Sequence, residues 1–509
     1  METVCIWILM KNIGISKIDE TSVRIVSNDS GILCELSEHF TFFAEGYKFM
    51  PAFRNKMWDG KVRLYDSRTG RLPYGLLFEV LKFAESHNYS YELHPNITER
   101  DVPYAEALLE YANSLHITSG GTQITPRDYQ YSAYTHACAE GRGLIISPTG
   151  SGKSLIIYLC VRWFLEHHDQ KILIIVPTTS LVEQMTKDFA DYSEKDPSFD
   201  VESEVHKIYS GKEKHSIDSR VIVTTWQSAI TLQKSWFQSY GMVIGDEAHL
   251  FKAKSLNTIM SACVNAAYRI GTTGTLDGSL CNERVLVGNF GPTHRVITTK
   301  ELIDNDTLAA LKIKCIVCNH NDELKKVVSK VDYQTEIDAI VTHDGRNNFI
   351  ANLALDQKGN TLVLFNLVQK HGKPLFELIS NINKDSDRHI FYVSGEVNAT
   401  NREHIRELTE TQNNAIIVAS MGTFSVGINI KNLHQIIFAA PTKSQIRVLQ
   451  SIGRGLRKSD DGRTTTVYDI SDNFSWKKKK NYTLQHAIER TKIYAREGFN
   501  YKLYEIQLP

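Results

Sequence analysis

No apolar run in this 509-residue chain approaches the roughly 18 residues that a bilayer-crossing helix requires, so nothing in it reads as a membrane span. The apolar stretch 4–10 follows Glu2 and lacks both a basic lead-in and a small-residue cleavage site. It makes a poor secretory signal, and Met10 is an alternative start. Net charge is lacking too: Lys plus Arg and Asp plus Glu stand at 58 each, so any nucleic-acid surface must be local. The eight cysteines are scattered, several of them in apolar runs, which suits a reducing cytoplasm better than a disulfide framework. Cys315 and Cys318, with His320 nearby, have the spacing of a metal or redox pair. No second such cluster completes a tetrahedral site, and 313–318 reads as a strand carrying structural cysteines. What remains, 42% apolar and 23% charged residues, is ordinary globular composition, long enough for about three or four domains.

The stretch that organises the chain is Ser-Pro-Thr-Gly-Ser-Gly-Lys-Ser, 147–154. Apolar runs at 143–146 and 155–161 flank it, which predicts a buried strand, a glycine turn and a helix. Pro148, Thr149, Gly150, Ser151 and Gly152 would let consecutive N–H groups face inward as an anion cradle at a helix N-terminus. Lys153 would reach the β- and γ-phosphates of ATP, and the Ser154 hydroxyl would ligand Mg²⁺. Ser147 stands where the usual pattern has its first glycine.

About 20 residues earlier, Arg127, Tyr129 and Gln130 open a helical pattern. A glutamine amide donates and accepts, as an adenine edge does, and Tyr129 or Arg127 could stack on the base. Strands then recur at 172–176, 221–224, 242–245 and 269–271 with helical stretches between them, the alternation of a doubly wound parallel sheet. Asp246-Glu247-Ala248-His249 ends one of them. A carboxylate there suits Mg²⁺ coordination, its neighbour suits deprotonation of the attacking water, and His249 suits coupling to a moving domain. Thr178, Thr179, Thr225, Trp226 and Gln227, at other strand ends, offer hydroxyls and N–H groups to a phosphate backbone, or else cap helices. The 271–276 run, Gly-Thr-Thr-Gly-Thr-Leu, places hydroxyls near both carboxylates.

Ahead of this domain lie alternating or apolar runs near 13–18, 23–26 and 31–36. Residues 47–75 then carry seven basic side chains against Asp59 and Asp66, interleaved with Phe49, Phe53, Trp58 and Tyr65. Arg54, Lys56, Lys61 and Arg63 could hold phosphates there, with Trp58 expected in the core, anchoring the strand behind its turn, rather than stacked on a base. A helix is expected at 76–86 and a linker at 114–125.

Beyond 298 a charged, largely helical stretch holds one strand at 311–318. Strands return at 361–365, 389–393, 415–419, 435–438 and 466–470. No second Gly-Lys-Ser occurs, so this α/β unit lacks its own phosphate cradle. It carries Gly427 and Asn429 in one loop, and Gln450, Arg454 and Arg457 on a helix. The two arginines are three apart on one face and read as arginine fingers, worth roughly 10³–10⁵ in phosphoryl-transfer rate. A lysine run, 477–480, precedes a helix expected at 482–494.

In this order, RDYQ (127–130), PTGSGKS (148–154), PTTSLVEQ (177–184), DEAH (246–249), TGT (273–275), SVGIN (425–429) and QSIGRGLR (450–457) resemble the motifs of superfamily 2 helicases and translocases. The departures are TGT where Ser-Ala-Thr or Thr-Ala-Thr is common and Asn429 where Asp is common. Residues 44–66 and 71–76 are similar to the amino-terminal domain of the UvsW-like recombination and fork-remodelling helicases of tailed bacteriophages. The resemblance implies an α/β chain of two tandem RecA-like parallel-sheet domains, a small α/β N-terminal domain and a short helical C-terminal extension. The boundaries are 1–121, 122–297 with the ATP site, 298–475 with the arginines, and 476–509. It further implies an ATP- and Mg²⁺-dependent motor on branched DNA (forks, four-way junctions and R-loops, with RNA met in the last). The expected protein is a monomer without membrane attachment, in the host cytoplasm, working beside a small single-strand-binding or recombination protein. An RNA helicase, a nucleotide-gated clamp that does not unwind, and a DNA-packaging ATPase are the competing readings.

Overall fold

Apolar residues at every second position begin the fold. Ile13 and Ile15 on β1 (Ile13–Asp19), and Val23 and Ile25 on β2 (Ser22–Val26), turn the same way and are buried, while Arg24 between them is exposed. The computed structural model describes residues 12–508 apart from 100–101, 210–217, 386, 398–403, 406, 410, 424–431, 443, 445–447, 450, 454–455, 457–463 and 478. Gly427, Asn429, Gln450, Arg454 and Arg457 therefore lie outside the described residues. The chain divides into two compact units, Met1–Ser147 with Gly152–Val296, and Ile297–Pro509 with Pro148–Ser151.

The first unit opens with a small α/β layer. The run 31–36 is helical, within Ser30–His39: Ile32 and Leu36 share one buried face, and the Asp29 carboxylate accepts the Gly31 N–H at 2.8 Å as a cap. β3 (Thr41–Phe43) and β4 (Lys61–Arg63) form a separate antiparallel hairpin. β5 (Arg71–Pro73) and β6 (Tyr91–Leu93) complete a four-stranded sheet in the order β5-β2-β1-β6, and the helix Leu77–Ser86 packs Val80, Phe83 and Ala84 on it. Within the stretch read as a linker, β7 (Thr118–Ser119) and β8 (Thr122–Gln123) form a tiny hairpin, pinned where the Gly120 N–H meets Asp191 Oδ1 at 2.7 Å.

The larger layer is a seven-stranded parallel sheet built from β9 (Arg142–Ile146), β10 (Lys171–Val176), β11 (Val205–Ile208), β12 (Val221–Thr225), β13 (Tyr240–Asp246), β14 (Tyr268–Thr273) and β15 (Thr293–Arg295). Their order is β11-β12-β10-β13-β14-β9-β15. Its central strands are buried on both faces, which is why they read as unbroken apolar runs.

The two layers share a buried seam. Val287 of the helix Leu280–Phe290 belongs to the small domain's core. Arg142 on β9 donates at 2.7 Å to both the carboxylate and the carbonyl of Glu20, and its guanidinium lies 4.1 Å from the centre of the Tyr74 ring. Burial alone would raise the Glu20 carboxyl, but Lys17 and Arg142 hold it below its ordinary value. Gly75 is the tightest point, since a Cβ there would sit 1.9 Å from the Val287 carbonyl oxygen. Gly75→Ala should therefore force the layers apart and cost about 1–3 kcal/mol. Thermal melts check this, and a Tm within a degree of wild type would show that the seam yields freely.

The second unit repeats the parallel architecture with β16 (Leu311–Asn319), β17 (Thr361–Phe365), β18 (Ile390–Val393), β19 (Ile416–Ser420), β20 (Gln435–Phe438), β21 (Thr465–Asn473) and β22 (Tyr501–Gln507), ordered β18-β19-β17-β20-β21-β16-β22. The C-terminal extension carries the expected helix, Tyr482–Arg496, and its last run is an edge strand paired with β16. Arg490 of that helix grips Asp469 of β21, and buried Glu336 accepts from Asn481 Nδ2, the Tyr482 and Thr483 N–H groups and the Thr483 hydroxyl at 2.7–3.0 Å. Cys315 and Cys318 are buried on β16, three apart and so on opposite faces of the strand. Burial, first of all, pushes each thiol up to about 12.

Near the end of β21, Asp472 is fully buried between His320 Nε2 at 3.0 Å and Arg346 Nε at 2.9 Å. His371 lies fully buried close to this charge cluster, and neither of its ring nitrogens has a hydrogen-bond partner among the described residues. Burial, then the Arg346 charge, pushes its pKa down to about 3, so the ring is neutral in the fold. The unfolded chain protonates it below about pH 6.5. The stability that His371 contributes is thus complete above that pH and is lost as pH falls toward 3. His371→Leu should flatten the decline of Tm between pH 6.5 and 4; parallel declines in variant and wild type would contradict this.

Candidate functional site: a phosphate cradle and two carboxylates

Three strand ends of the first unit lie side by side. In register, Asp246 of β13 faces Thr272 of β14, and Thr273 faces Ile146, the last residue of β9. Ligands of open parallel sheets bind at such carboxyl ends. The chain leaves β9 through Ser147, whose N–H bonds the Thr273 carbonyl at 2.9 Å, and enters the helix Lys153–His167. Between them Gly150 and Gly152 adopt φ of +85° and +82°, the left-handed backbone that turns successive N–H groups inward. The helix holds because residues 155–164 are all buried, seating it against the sheet.

Lys153 begins that helix, and its Nζ donates to the Ser147 carbonyl at 3.2 Å. The Ser154 hydroxyl is 2.9 Å from the Tyr192 hydroxyl, a partner at the end of a distant helix that nothing in the sequence signals. Ser151 Oγ closes the loop on the Pro148 carbonyl at 2.6 Å. Gln130 is buried, and its Oε1 accepts the Arg127 N–H at 2.8 Å. Its amide nitrogen lies against Gly152, where a Cβ would approach to 2.3 Å. The expected base-reading group thus sits against the cradle, with Arg127 NH1 3.2 Å from the hydroxyl of half-buried Tyr129 beside it.

Asp246 is buried at the end of β13, and its Oδ1 accepts from the Thr272 hydroxyl at 2.7 Å. Burial, then the charge of Glu247, raises its pKa, with Lys153 pulling the other way. Two adjacent carboxylates with one opposing ammonium leave negative charge for a divalent cation to balance, so the donor set fits Mg²⁺. Glu247 occupies left-handed backbone, φ +51°, a conformation costly for a residue with a Cβ and one that collects at functional sites. His249 Nδ1 lies 3.0 Å from the Thr273 hydroxyl and 3.3 Å from Glu247 Oε2, tying the acidic pair to the Thr-Gly-Thr loop. The hydroxyls expected beside the carboxylates are therefore Thr272 and Thr273.

The remaining strand ends carry the proposed nucleic-acid loops. Thr178 and Thr225 each cap a helix, accepting the Leu181 and Ser228 N–H groups at 3.4 Å. Val176 and Thr225 are register partners, so the two loops are neighbours. Thr179 and Gln227 are exposed there, and Trp226 is half-buried. On the small domain Arg54, Lys56 and Arg63 are exposed and Lys61 half-buried. Arg63 is ion-paired with Asp59, while the Trp58 Nε1–H donates to the Lys61 carbonyl at 2.9 Å; its ring is half-buried and lies outside the apolar core of the domain, not within it as expected.

A phosphate cradle, an Asp-Glu-Ala-His strand end and a second parallel sheet whose sequence holds no further Gly-Lys-Ser define a superfamily 2 helicase. Three family models match: type III restriction enzyme, res subunit, over residues 123–278; DNA helicase UvsW, N-terminal, over 13–94; and helicase conserved C-terminal domain over 345–459. The ATP-dependent DNA helicase uvsW of Enterobacteria phage T4 is 38% identical over 506 residues, 96% of this chain and 98% of that protein. The crystal structure of T4 UvsW covers 98% of this chain and 100% of its own at TM-score 0.52 and 36% identity. Putative helicase 22 of a Sulfolobus islandicus filamentous virus is 22% identical over 71% of this chain and 67% of its own length. The chain belongs to the UvsW family of helicases.

Proposed function

We propose that this helicase uses ATP to unwind or migrate branched DNA, namely forks, four-way junctions and R-loops, in the cytoplasm of a phage-infected cell. The observation that carries the ATP half is the convergence of the Gly150–Gly152 turn, Lys153 and the Asp246–Glu247 pair at adjacent strand ends. Lys153 neutralises phosphate charge, Ser154 and Asp246 would hold Mg²⁺, and Glu247 takes the proton of the attacking water. Bound Mg²⁺ would shield the negative charge that builds on the transferring phosphate. Gln130, Tyr129 and Arg127 read the base, and the loops at 178–179 and 225–227 hold the DNA backbone.

The branched substrate is supported by the match to the UvsW amino-terminal model and by the exposed basic residues of that domain. ATP turnover measured with single strand, duplex, fork, four-way junction, R-loop and RNA should be stimulated most by the three branched DNAs. Stimulation by RNA equal to or above that by forks would overturn the DNA reading.

A further inference from the structure

The hairpin β3–β4 and the turns between its strands carry apolar side chains that the domain core does not use. Phe43, Phe49, Met50 and Met57 are 53%, 76%, 39% and 81% exposed. Behind them the segment is built as a fixed scaffold. Tyr47 stacks on Phe43 at 4.7 Å and meets Phe53 edge-on at 4.8 Å, and the Trp58 indole N–H donates to the carbonyl of Lys61, the first residue of β4. The exposed residues are thus presented on an ordered tip; they do not belong to a loose loop. Cations surround them: Lys48, Arg54 and Lys56 are exposed, and Lys61 Nζ lies 5.4 Å from the centre of the Phe43 ring. Within 47–75 basic side chains outnumber acidic ones seven to two.

Exposed apolar groups ringed by positive charge call for a ligand with apolar flat faces and a strongly anionic edge. Duplex DNA hides its base faces by stacking and exposes only phosphates, sugars and the groove edges of its bases, whereas unpaired nucleotides show base faces and phosphates together. We propose that Phe49 and Met57 are base-contacting residues that pack against unpaired bases where a DNA branch opens, while Lys48, Arg54 and Lys56 hold the flanking phosphates. The proposal rests on the DNA-helicase reading above and adds to it a place where bases, rather than backbone, are touched. The seam gives this grip mechanical meaning. Through Arg142–Glu20, Val287 and the Arg284–Glu79 ion pair at 2.6 Å, the tip belongs to the same compact unit as Lys153 and the Asp246–Glu247 pair. A base held at the tip is held against the sheet that binds ATP.

The test is the double variant Phe49→Ala, Met57→Ala in the full chain, with a synthetic fork carrying 2-aminopurine at the branch. Wild type should change the 2-aminopurine fluorescence on binding. The double variant should leave it unchanged and bind the fork about tenfold more weakly, the low end of what removing a base–aromatic stack produces. Its dependence of log K on log salt should keep the wild-type slope, since every phosphate-holding cation is still in place, and its Tm should match because both side chains are exposed. Phe49→Trp alone should retain fork affinity. Wild-type affinity and fluorescence in the double variant would overturn the proposal and assign the tip to a protein partner. If no DNA stimulates ATP turnover by wild type, the helicase reading fails instead, which separates the two.

Discussion

Glu247→Gln is expected to abolish ATP turnover while leaving nucleotide bound, with kcat falling by roughly 10²–10⁴ as for loss of a general base. The amide keeps the shape of the side chain and cannot take the proton from water. The cradle of Gly150, Gly152 and Lys153 is untouched, so ATP should be trapped. Lys153→Ala gives the contrasting result. It removes an ammonium that opposes the charge of Asp246 and would meet the phosphates, so both affinity and turnover should fall. Equilibrium binding of a fluorescent ATP analogue together with steady-state turnover distinguishes the two. Near-wild-type hydrolysis by the Glu247→Gln protein would remove Glu247 from the role of base.

The second large effect is expected from the small domain. Arg54→Ala, Lys56→Ala, Lys61→Ala and Arg63→Ala combined should weaken binding to branched DNA. The slope of log K against log salt should fall by about 0.9 for each duplex phosphate that the variant no longer neutralises. The sum should come nearer three phosphates than four, because Arg63 is ion-paired with Asp59 and its charge is partly answered within the protein. The carboxyl of Asp59 is held down at about 2, first by the hydrogen bond from Arg63, so the pair persists at any working pH. DNA-independent ATP turnover should survive, since none of the four touches the cradle. Fluorescence anisotropy with a four-way junction at several salt concentrations measures the slope, and an unchanged slope would mean that this domain does not hold phosphates.

The central strands β10, β12 and β13 are legible in the sequence because burial on both faces writes them as apolar runs of Ile, Val, Leu and Met, whereas β14 shows only Ile270 between Arg269 and Gly271. The edge strands β11 and β15, four and three residues of mixed composition, leave no such mark. The run at 31–36 shows how the period decides. Ile32 and Leu36 are four apart on one helical face, and the signal that fixes the helix is Asp29, just outside the run. At the site, the residues carried by contiguous motifs can be read directly: Lys153, Ser154, Asp246 and Glu247. Tyr192, which meets Ser154, comes from a helix packed alongside and has no sequence signature. The left-handed backbone of Glu247 is likewise a consequence of how β13 ends. The basic and aromatic composition of 47–75 is plain from the residues, but which aromatics face inward and which face water is decided by packing.

Glu336 has a consequence for how portable the last part of the chain is. The helix Tyr482–Arg496 has no side-chain cap of its own from Asn481, and its first N–H groups are met by a carboxylate 146 residues away. Its start signal is therefore supplied by tertiary structure. A protein engineer who grafted 476–509 onto another scaffold would transplant a helix without its beginning. Excising the same segment would strand Glu336 in the interior with all four of its donors gone. Neither piece is a module: the boundary near 475 divides the sequence, and the hydrogen bonds cross it.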